Sequence, residues 1–147
     1  MKDDVQYERL LPRHIVAARE ACPVAYIPLG TIEWHGPHNP VGTDTLKVHA
    51  LACRCARAGG GLVFPPMWYG ESREEGLMEA NGAEREGIAA AMNLPVANFA
   101  PGYMRFPPHE QIEGYVRLLM HALFQAQSLG FKVAVFVAGH YPLIDHA

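Results

Sequence analysis

Three short apolar runs divide the chain and predict buried β-strands. The runs are Val24–Leu29, Leu62–Met67 and Lys132–Ala138. Their residues are almost continuously apolar rather than alternating, which is typical of parallel strands that helices cover on both faces. The third run is also rich in valine and phenylalanine, residue types that favour strands. The pattern therefore predicts a parallel sheet sandwiched by helices.

Helical segments lie before and between the apolar runs. One helix is predicted to begin near Pro12, and three more span Thr45–Ala58, Ala83–Met92 and Glu110–Leu129. In the two longest segments, apolar residues recur at intervals of three and four, as on one face of a helix. Pro12 suits a first helical position, and Gly59 and Gly130 are placed to end the second and fourth helices.

The order of these elements predicts an α/β fold. A strand, a helix and a further strand in succession imply a right-handed crossover between parallel strands. The 147 residues are the size of one domain, so residues 1–147 are assigned to a single α/β domain. The stretch Tyr69–His109 is too long for a simple connection and contains many glycines and prolines. We expect it to be irregular and to line a site or an interface.

Composition and charge narrow the class of protein. Hydrophobic residues make up 50% of the chain and charged residues 18%, as in globular proteins. The net charge is −3 and basic residues are not clustered, so we expect no nucleic-acid partner. No signal core or membrane-spanning apolar window occurs, which predicts a soluble, cytoplasmic protein with no membrane contact. Cys22, Cys53 and Cys55 match no zinc spacing and no disulfide framework, so reduced thiols are expected.

Side chains suited to metal binding follow two of the predicted strands. Glu33, His35 and Asp44 lie in the loop after the first strand, and His140 comes just after the third. The carboxyl ends of parallel strands meet at one edge of a sheet, so the four residues can converge there. Imidazole and carboxylate ligands without thiolate suit Zn²⁺ or Mn²⁺. A carboxylate such as Asp44 can bridge two ions through its two oxygens.

Each of these residues also has a less specific interpretation. Asp44 precedes a helix and can be its N-cap, while Glu33 can be a solvated loop acid. His35, His38 and His140 can each be ordinary polar residues. A metal site and coincidence therefore both remain open on position alone. The remaining histidines lack such a setting and are expected to be surface or structural residues: His14, His49, His109, His121 and His146.

Two motifs in the chain resemble the signature of the creatininase family. The string Pro28–Pro40, followed by Gly42-Thr43-Asp44, is similar to the family's strand, its Gly-x-x-Glu-x-His-Gly-x-His-x-Pro loop and its Gly-Thr-Asp element. This first motif, from Pro28 to Asp44, is long and specific. Gly139-His140 is similar to the family's later Gly-His element, which is short but falls in the right order. The resemblance covers most of the chain, from about Pro12 to Tyr141.

The resemblance implies a function and a set of ligands. Family members hydrolyse creatinine, deformylate a formamidopyrimidine intermediate or trim a peptide cofactor precursor. By resemblance, this chain is a metal-dependent amidohydrolase that uses a metal-bound hydroxide to break a C–N bond in a small amide or cyclic amidine. Two divalent ions, Zn or Mn, are implied, with Glu33 and His140 on one, His35 on the other and Asp44 bridging both. A homo-oligomer acting on a small-molecule amide is implied as well.

Two departures from the family pattern affect this expectation. Creatininase itself has a glutamate two residues after the histidine of the Gly-His element, where this chain has Pro142; Asp145 is a candidate replacement. Family members also continue beyond the position of Ala147, so we expect a fragment, a split protein or a degenerate copy. The catalytic proton-transfer residues are then expected in the missing carboxyl-terminal part. One alternative is a non-catalytic metal-binding or interaction subunit, and another is a small-molecule binding domain without metal.

Overall fold

The computed structural model describes residues 4–70, 84–100, 102–103 and 106–146. Its helices are α1 (Pro12–Ala21), α2 (Thr43–Gly59), α3 (Arg85–Ala91) and α4 (Pro108–Ser128). Its strands are β1 (Val24–Leu29), β2 (Leu62–Val63) and β3 (Val133–Ala138). Short 3₁₀ turns are also present at Tyr7–Arg9, Val96–Phe99 and Tyr141–His146.

The strands form one parallel sheet in the order β2-β1-β3. β1 pairs with β3 along its whole length, from Val24 opposite Val133 to Leu29 opposite Ala138. The backbone N–H of Gly139 then donates to the carbonyl of Leu29 at 2.7 Å. β1 and β3 therefore end side by side, and the loops that follow them leave the sheet at the same edge. The predicted parallel α/β arrangement is confirmed.

Helices cover both faces of β1, whereas β3 is exposed at Val133 and only partly buried along the rest of its length, so the prediction of a buried third strand is wrong. On one face, Ala25, Ile27 and Leu29 pack in a buried cluster with Tyr115 and Leu119 of α4. On the other face, a second cluster joins β2 to α2 and includes Ala52, Cys53, Ala56 and Val63, with Tyr26 packed against it. Alternate residues of β1 thus point to opposite helical layers. This two-sided burial is the reason that the strand sequence is apolar without alternation.

The second strand is shorter than the sequence predicted. The predicted strand Leu62–Met67 pairs regularly only over Leu62–Val63. Pro65 and Pro66 lack the backbone N–H that a regular ladder needs, so pairing stops and resumes as an isolated bridge between Leu29 and Met67. The chain still follows the edge of β1, because the Met67 N–H donates to Pro28 O at 2.9 Å.

The helices are placed as predicted, with shifted ends. α2 begins at Thr43 instead of Thr45, because Gly42 is the N-cap. α4 begins at Pro108 instead of Glu110 and ends at Ser128, with Gly130 at φ +88° just beyond it, as expected for a left-handed cap. Of the predicted helix Ala83–Met92, residues 84–92 are described and the helix spans Arg85–Ala91, while Ala83 lies outside the described residues.

Three further expectations concern the cysteines, membrane-spanning helices and the stretch Tyr69–His109. All three cysteines are free thiols, with Cys53 buried and Cys55 exposed on the other side of α2. Among the described residues, no helix is long and apolar enough to cross a membrane. The stretch Tyr69–His109 is described only in part, and there it holds α3, one 3₁₀ turn and the start of α4. The rest of that expectation falls on residues 71–83, 101, 104 and 105, outside the described residues.

Candidate metal centre

The structure brings four predicted side chains together at the edge of the sheet where β1 and β3 end. Glu33 and His35 lie in the loop after β1, Asp44 lies in the first turn of α2, and His140 lies two residues after β3. Glu33, Asp44 and His140 are only 8%, 4% and 5% exposed. One ligand atom from each of Glu33, His35 and Asp44 lies within 4.8 Å of the other two.

Two glycines allow α2 to approach the strand ends closely enough for this convergence. A Cβ at Gly30 would overlap the side chain and backbone of Thr45. A Cβ at Gly139 would overlap the carbonyl oxygen of Asp44 and would lie 2.9 Å from the Cβ of Val48. The first turn of α2 thus packs directly on the backbone of both strand ends. This contact fixes the position of Asp44 between the two loops.

Asp44 uses its two carboxylate oxygens for two different histidines. Its Oδ1 lies 3.2 Å from His35 Nε2, and its Oδ2 lies 3.0 Å from His140 Nδ1. Glu33 Oε1 lies 3.0 Å from the same nitrogen of His140 and 3.7 Å from His35 Nε2. The two histidines therefore stand at opposite oxygens of one carboxylate, which is the arrangement that a carboxylate bridging two positive centres requires.

The backbone of the loop determines the tautomer of His35. Its Nδ1 lies 3.1 Å from the carbonyl oxygen of Glu33. A carbonyl can only accept a hydrogen bond, so this nitrogen carries the proton and donates it. In the neutral ring, Nε2 then has a lone pair directed at Asp44 Oδ1. A metal-ligating histidine is commonly held in this way, with one nitrogen donating to a carbonyl and the other free to bind.

His140 lies deep in the cluster and has a perturbed pKa. Burial lowers the pKa of His140, but the hydrogen bonds and negative charges of Glu33 and Asp44 outweigh burial and raise it above its ordinary value of 6.5. Two polar atoms of the cluster, Glu33 Oε2 and His140 Nε2, are buried without a hydrogen-bond partner. Buried carboxylates are costly unless positive charge compensates them.

The donor set fits divalent metal ions. Two carboxylates and two imidazoles, with no thiolate among them, are the ligands that Zn²⁺ and Mn²⁺ accept. In the neutral ring, the lone pair of His35 Nε2 would face Asp44 Oδ1 at 3.2 Å, and a cation between the two atoms would be attracted to both. The unpartnered oxygen of Glu33 would gain a positively charged partner in the same way. The residues present therefore fit such ions.

The alternative role of Asp44 as a helix N-cap is wrong. Gly42 is the N-cap of α2, and no side chain caps that end of the helix. Asp44 is instead the second residue of the helix. It faces the strand ends, and its negative charge is still favourable to the first helical turn. The local sequence could not separate the two roles, because the residues around Asp44 are compatible with a helix that begins just after it and with one that begins just before it.

Other residues considered from the sequence lie outside the cluster. His38 is exposed in the same loop, and Asp145 is exposed in the final 3₁₀ turn. Pro142, at the position of the family's glutamate, offers no ligand atom. One residue was missed: the ammonium of Lys47 lies 3.3 Å from Asp44 Oδ1. Its spacing of three residues on a helix was the available indication.

Nearly all of the chain matches one protein family. Residues 9–145 match the family model described as creatinine amidohydrolase. The chain belongs to the creatininase family. Over 66 residues it is 35% identical to the 3-dehydro-scyllo-inosose hydrolase of Thermotoga maritima, an alignment that covers 45% of this chain and 21% of that protein. Over 58 residues it is 38% identical to the mycofactocin precursor peptide peptidase of Mycolicibacterium smegmatis, covering 35% of this chain and 24% of that protein.

The solved structures of the family show how much of a creatininase this chain spans. A crystal structure of creatinine amidohydrolase aligns with a TM-score of 0.48 at 23% identity, over 92% of this chain and 57% of that chain. The chain therefore spans a little more than half of the solved creatininase. Other solved creatininases, at TM-scores of 0.47, include a Zn–Zn form and a Mn form.

Proposed function

We propose that this creatininase-family chain forms the metal centre of a hydrolase that breaks a C–N bond in a small amide or cyclic amidine. Glu33 and His140 hold one divalent ion, His35 holds a second, and Asp44 bridges them. The observation that supports this assignment best is the use of the two oxygens of Asp44 by two different histidines, at 3.2 Å and 3.0 Å. The ions are Zn²⁺ or Mn²⁺.

The chain's own residues prepare this chemistry. The carbonyl of Glu33 holds the ring of His35 with its Nε2 lone pair directed into the site. Burial of Glu33, Asp44 and His140 removes competing water from their ligand atoms. When bound, the ions supply Lewis acidity and lower the pKa of a water molecule, which allows attack on an amide carbon at neutral pH. We assign proton transfer to none of the described residues.

A second candidate function is metal binding without catalysis. The observation that favours it is Pro142, which stands where creatininase itself has a glutamate. The one acid within the turn Tyr141–His146 is Asp145, and it is exposed. An incomplete ligand shell would still hold an ion through the other four residues, but it would orient substrate and water less well. In this alternative the chain is a metal-binding or interaction subunit.

Metal stoichiometry in Asp44→Asn tests the proposed centre. Asn has nearly the same shape as Asp but lacks the negative charge that holds two cations together. We expect the parent chain to bind two equivalents of Zn²⁺ or Mn²⁺ by calorimetry and elemental analysis, and Asp44→Asn to lose the second equivalent. Helix content by circular dichroism should be the same in both. Asp145→Asn is the matched control and should bind like the parent.

The outcomes separate the two functions. Equal loading of the parent and Asp44→Asn would show that the carboxylate does not bridge ions. Loss of metal in Asp145→Asn would instead identify Asp145 as the replacement for the family's glutamate. Hydrolysis of creatinine, formamides or short peptides by the metal-loaded chain supports the enzyme. Full metal loading with no turnover of any of them favours the binding subunit. The homo-oligomer and the cytoplasmic location remain part of the proposal, and sedimentation velocity tests the first of these.

A further inference from the structure

The side chain of Lys47 contacts the bridging carboxylate from the solvent side. Its Nζ lies 3.3 Å from Asp44 Oδ1, which is also the oxygen that faces His35 Nε2 at 3.2 Å. The side chain of Lys47 is 60% exposed, whereas that of Asp44 is 6% exposed. The exposed Lys47 side chain therefore extends from the surface of α2 and brings its ammonium group into contact with a buried carboxylate oxygen.

Lys47 differs in charge from the other cationic partners of this cluster. In the ion pairs described for Glu33 and Asp44, the other partners are His35 and His140, which are positive only when protonated. A lysine ammonium carries its charge throughout the neutral pH range. Lys47 thus supplies an ammonium group at the oxygen of Asp44 that faces His35, where a divalent ion would bind.

We propose that Lys47 is a positioning residue that sets the metal affinity of the site by competing for Asp44 Oδ1. In the protein without metal, the ammonium compensates part of the charge of Asp44 and holds this oxygen toward His35. An arriving ion must displace the ammonium or bind beside a like charge, and both cost free energy. The exposed lysine can swing into solvent without any movement of the backbone, so the site releases and rebinds its metal more readily than the four ligands alone would allow.

The inference rests on the proposed metal centre and concerns a residue outside its ligand set. Removing the charge of Lys47 should therefore strengthen metal binding, whereas removing a ligand should weaken it. An ion pair to a largely exposed lysine is screened by solvent, so the effect is moderate. We expect about a fivefold lower dissociation constant for Zn²⁺ in Lys47→Met, which is the upper end of what exposed ion pairs contribute.

The test is a Zn²⁺ competition titration against a chromogenic chelator at fixed ionic strength, with four proteins. They are the parent chain, Lys47→Met, Lys47→Arg and Arg54→Met. Lys47→Arg keeps the charge, and Arg54→Met removes a charge from an exposed position further along α2. The Zn²⁺ dissociation constants of both controls should stay within about twofold of the parent's value. That difference is smaller than the change expected for Lys47→Met. Thermal unfolding without metal is the second readout, and there Lys47→Met should be slightly less stable than the parent.

Each outcome decides the inference. Tighter Zn²⁺ binding in Lys47→Met alone, together with a lower unfolding temperature without metal and a larger metal-induced rise, supports competition at Asp44. Unchanged or weaker binding in Lys47→Met overturns it, and weaker binding shows instead that the lysine only orients the carboxylate. An equal gain in Arg54→Met also overturns it, because the effect would then be general to the surface charge. A parent chain that binds no Zn²⁺ refutes the proposed centre and this inference together.

Discussion

Replacing Gly139 by alanine tests whether the contact between α2 and the strand ends places the metal ligands. The added Cβ would overlap the carbonyl oxygen of Asp44 and lie 2.9 Å from the Cβ and Cγ1 of Val48. Real Cβ atoms essentially never approach within 3.0 Å of other heavy atoms, and the first obstacle is backbone, which cannot rotate away. The first turn of α2 must therefore move outward, and Asp44 must move with it.

The expected cost follows from these contacts. Overpacking a close contact of this kind costs about 1–3 kcal/mol in the free energy of unfolding. Displacing Asp44 from His35 and His140 should also weaken metal binding, by about 10- to 100-fold, the range seen when the residues that orient metal ligands are changed. Metal affinity should thus fall by more than the loss of stability alone explains, because the folded fraction of the protein remains near one at 25 °C.

Urea denaturation and Zn²⁺ titration of Gly139→Ala measure the two effects. Gly59→Ala is the matched control, since a Cβ at Gly59, on the last residue of the same helix, meets no atom within 4 Å. That control should keep the parent's metal affinity and gain up to about 1 kcal/mol of stability. Parent-like metal binding by a folded Gly139→Ala protein would refute the argument that this close approach positions Asp44.

Two further predictions concern buried groups of the core. Desolvation raises the pKa of Tyr115, whose hydroxyl is buried without a hydrogen-bond partner. The folded protein therefore holds this proton more tightly than the unfolded chain, so Tyr115 lowers stability as the pH rises above ~10. At pH 7, the free energy of unfolding of Tyr115→Phe should be the same as that of the parent or up to about 1 kcal/mol higher. Between pH 7 and pH 10.5, Tyr115→Phe should lose less stability than the parent. Equal losses of stability over this pH range in urea denaturation would contradict the prediction. Leu143 is fully buried, and its N–H donates to His140 O at 3.1 Å. Leu143→Ala should cost about 2–5 kcal/mol in the same assay, and a loss below 1 kcal/mol would show that the final turn is not anchored by this side chain.

The sequence determined the architecture because the information for it is local. An apolar run without alternation predicts that both faces of a strand are covered. This holds for β1 between its two helical clusters but not for β3, which is only partly buried. A glycine just after a helical pattern predicts where the helix ends, as Gly130 does at φ +88°. The loop from Glu33 to Asp44 and the Gly139-His140 pair were recognisable as family motifs for the same reason. Even the error in β2 was decided locally, since Pro65 and Pro66 cannot donate to a ladder.

The role of each side chain was decided only by tertiary structure. Asp44 and His140 are 96 residues apart in the chain, and they meet because β1 and β3 end in register and α2 packs on both strand ends. Nothing in the sequence around Asp44 separates a helix cap from a carboxylate shared by two histidines. The contact of Lys47 with that carboxylate was indicated only by the spacing of three residues on one helix. Local patterns indicate which residues are buried and where elements end. Distances between ligand atoms depend instead on how distant segments pack together, and this packing is a property of the whole fold.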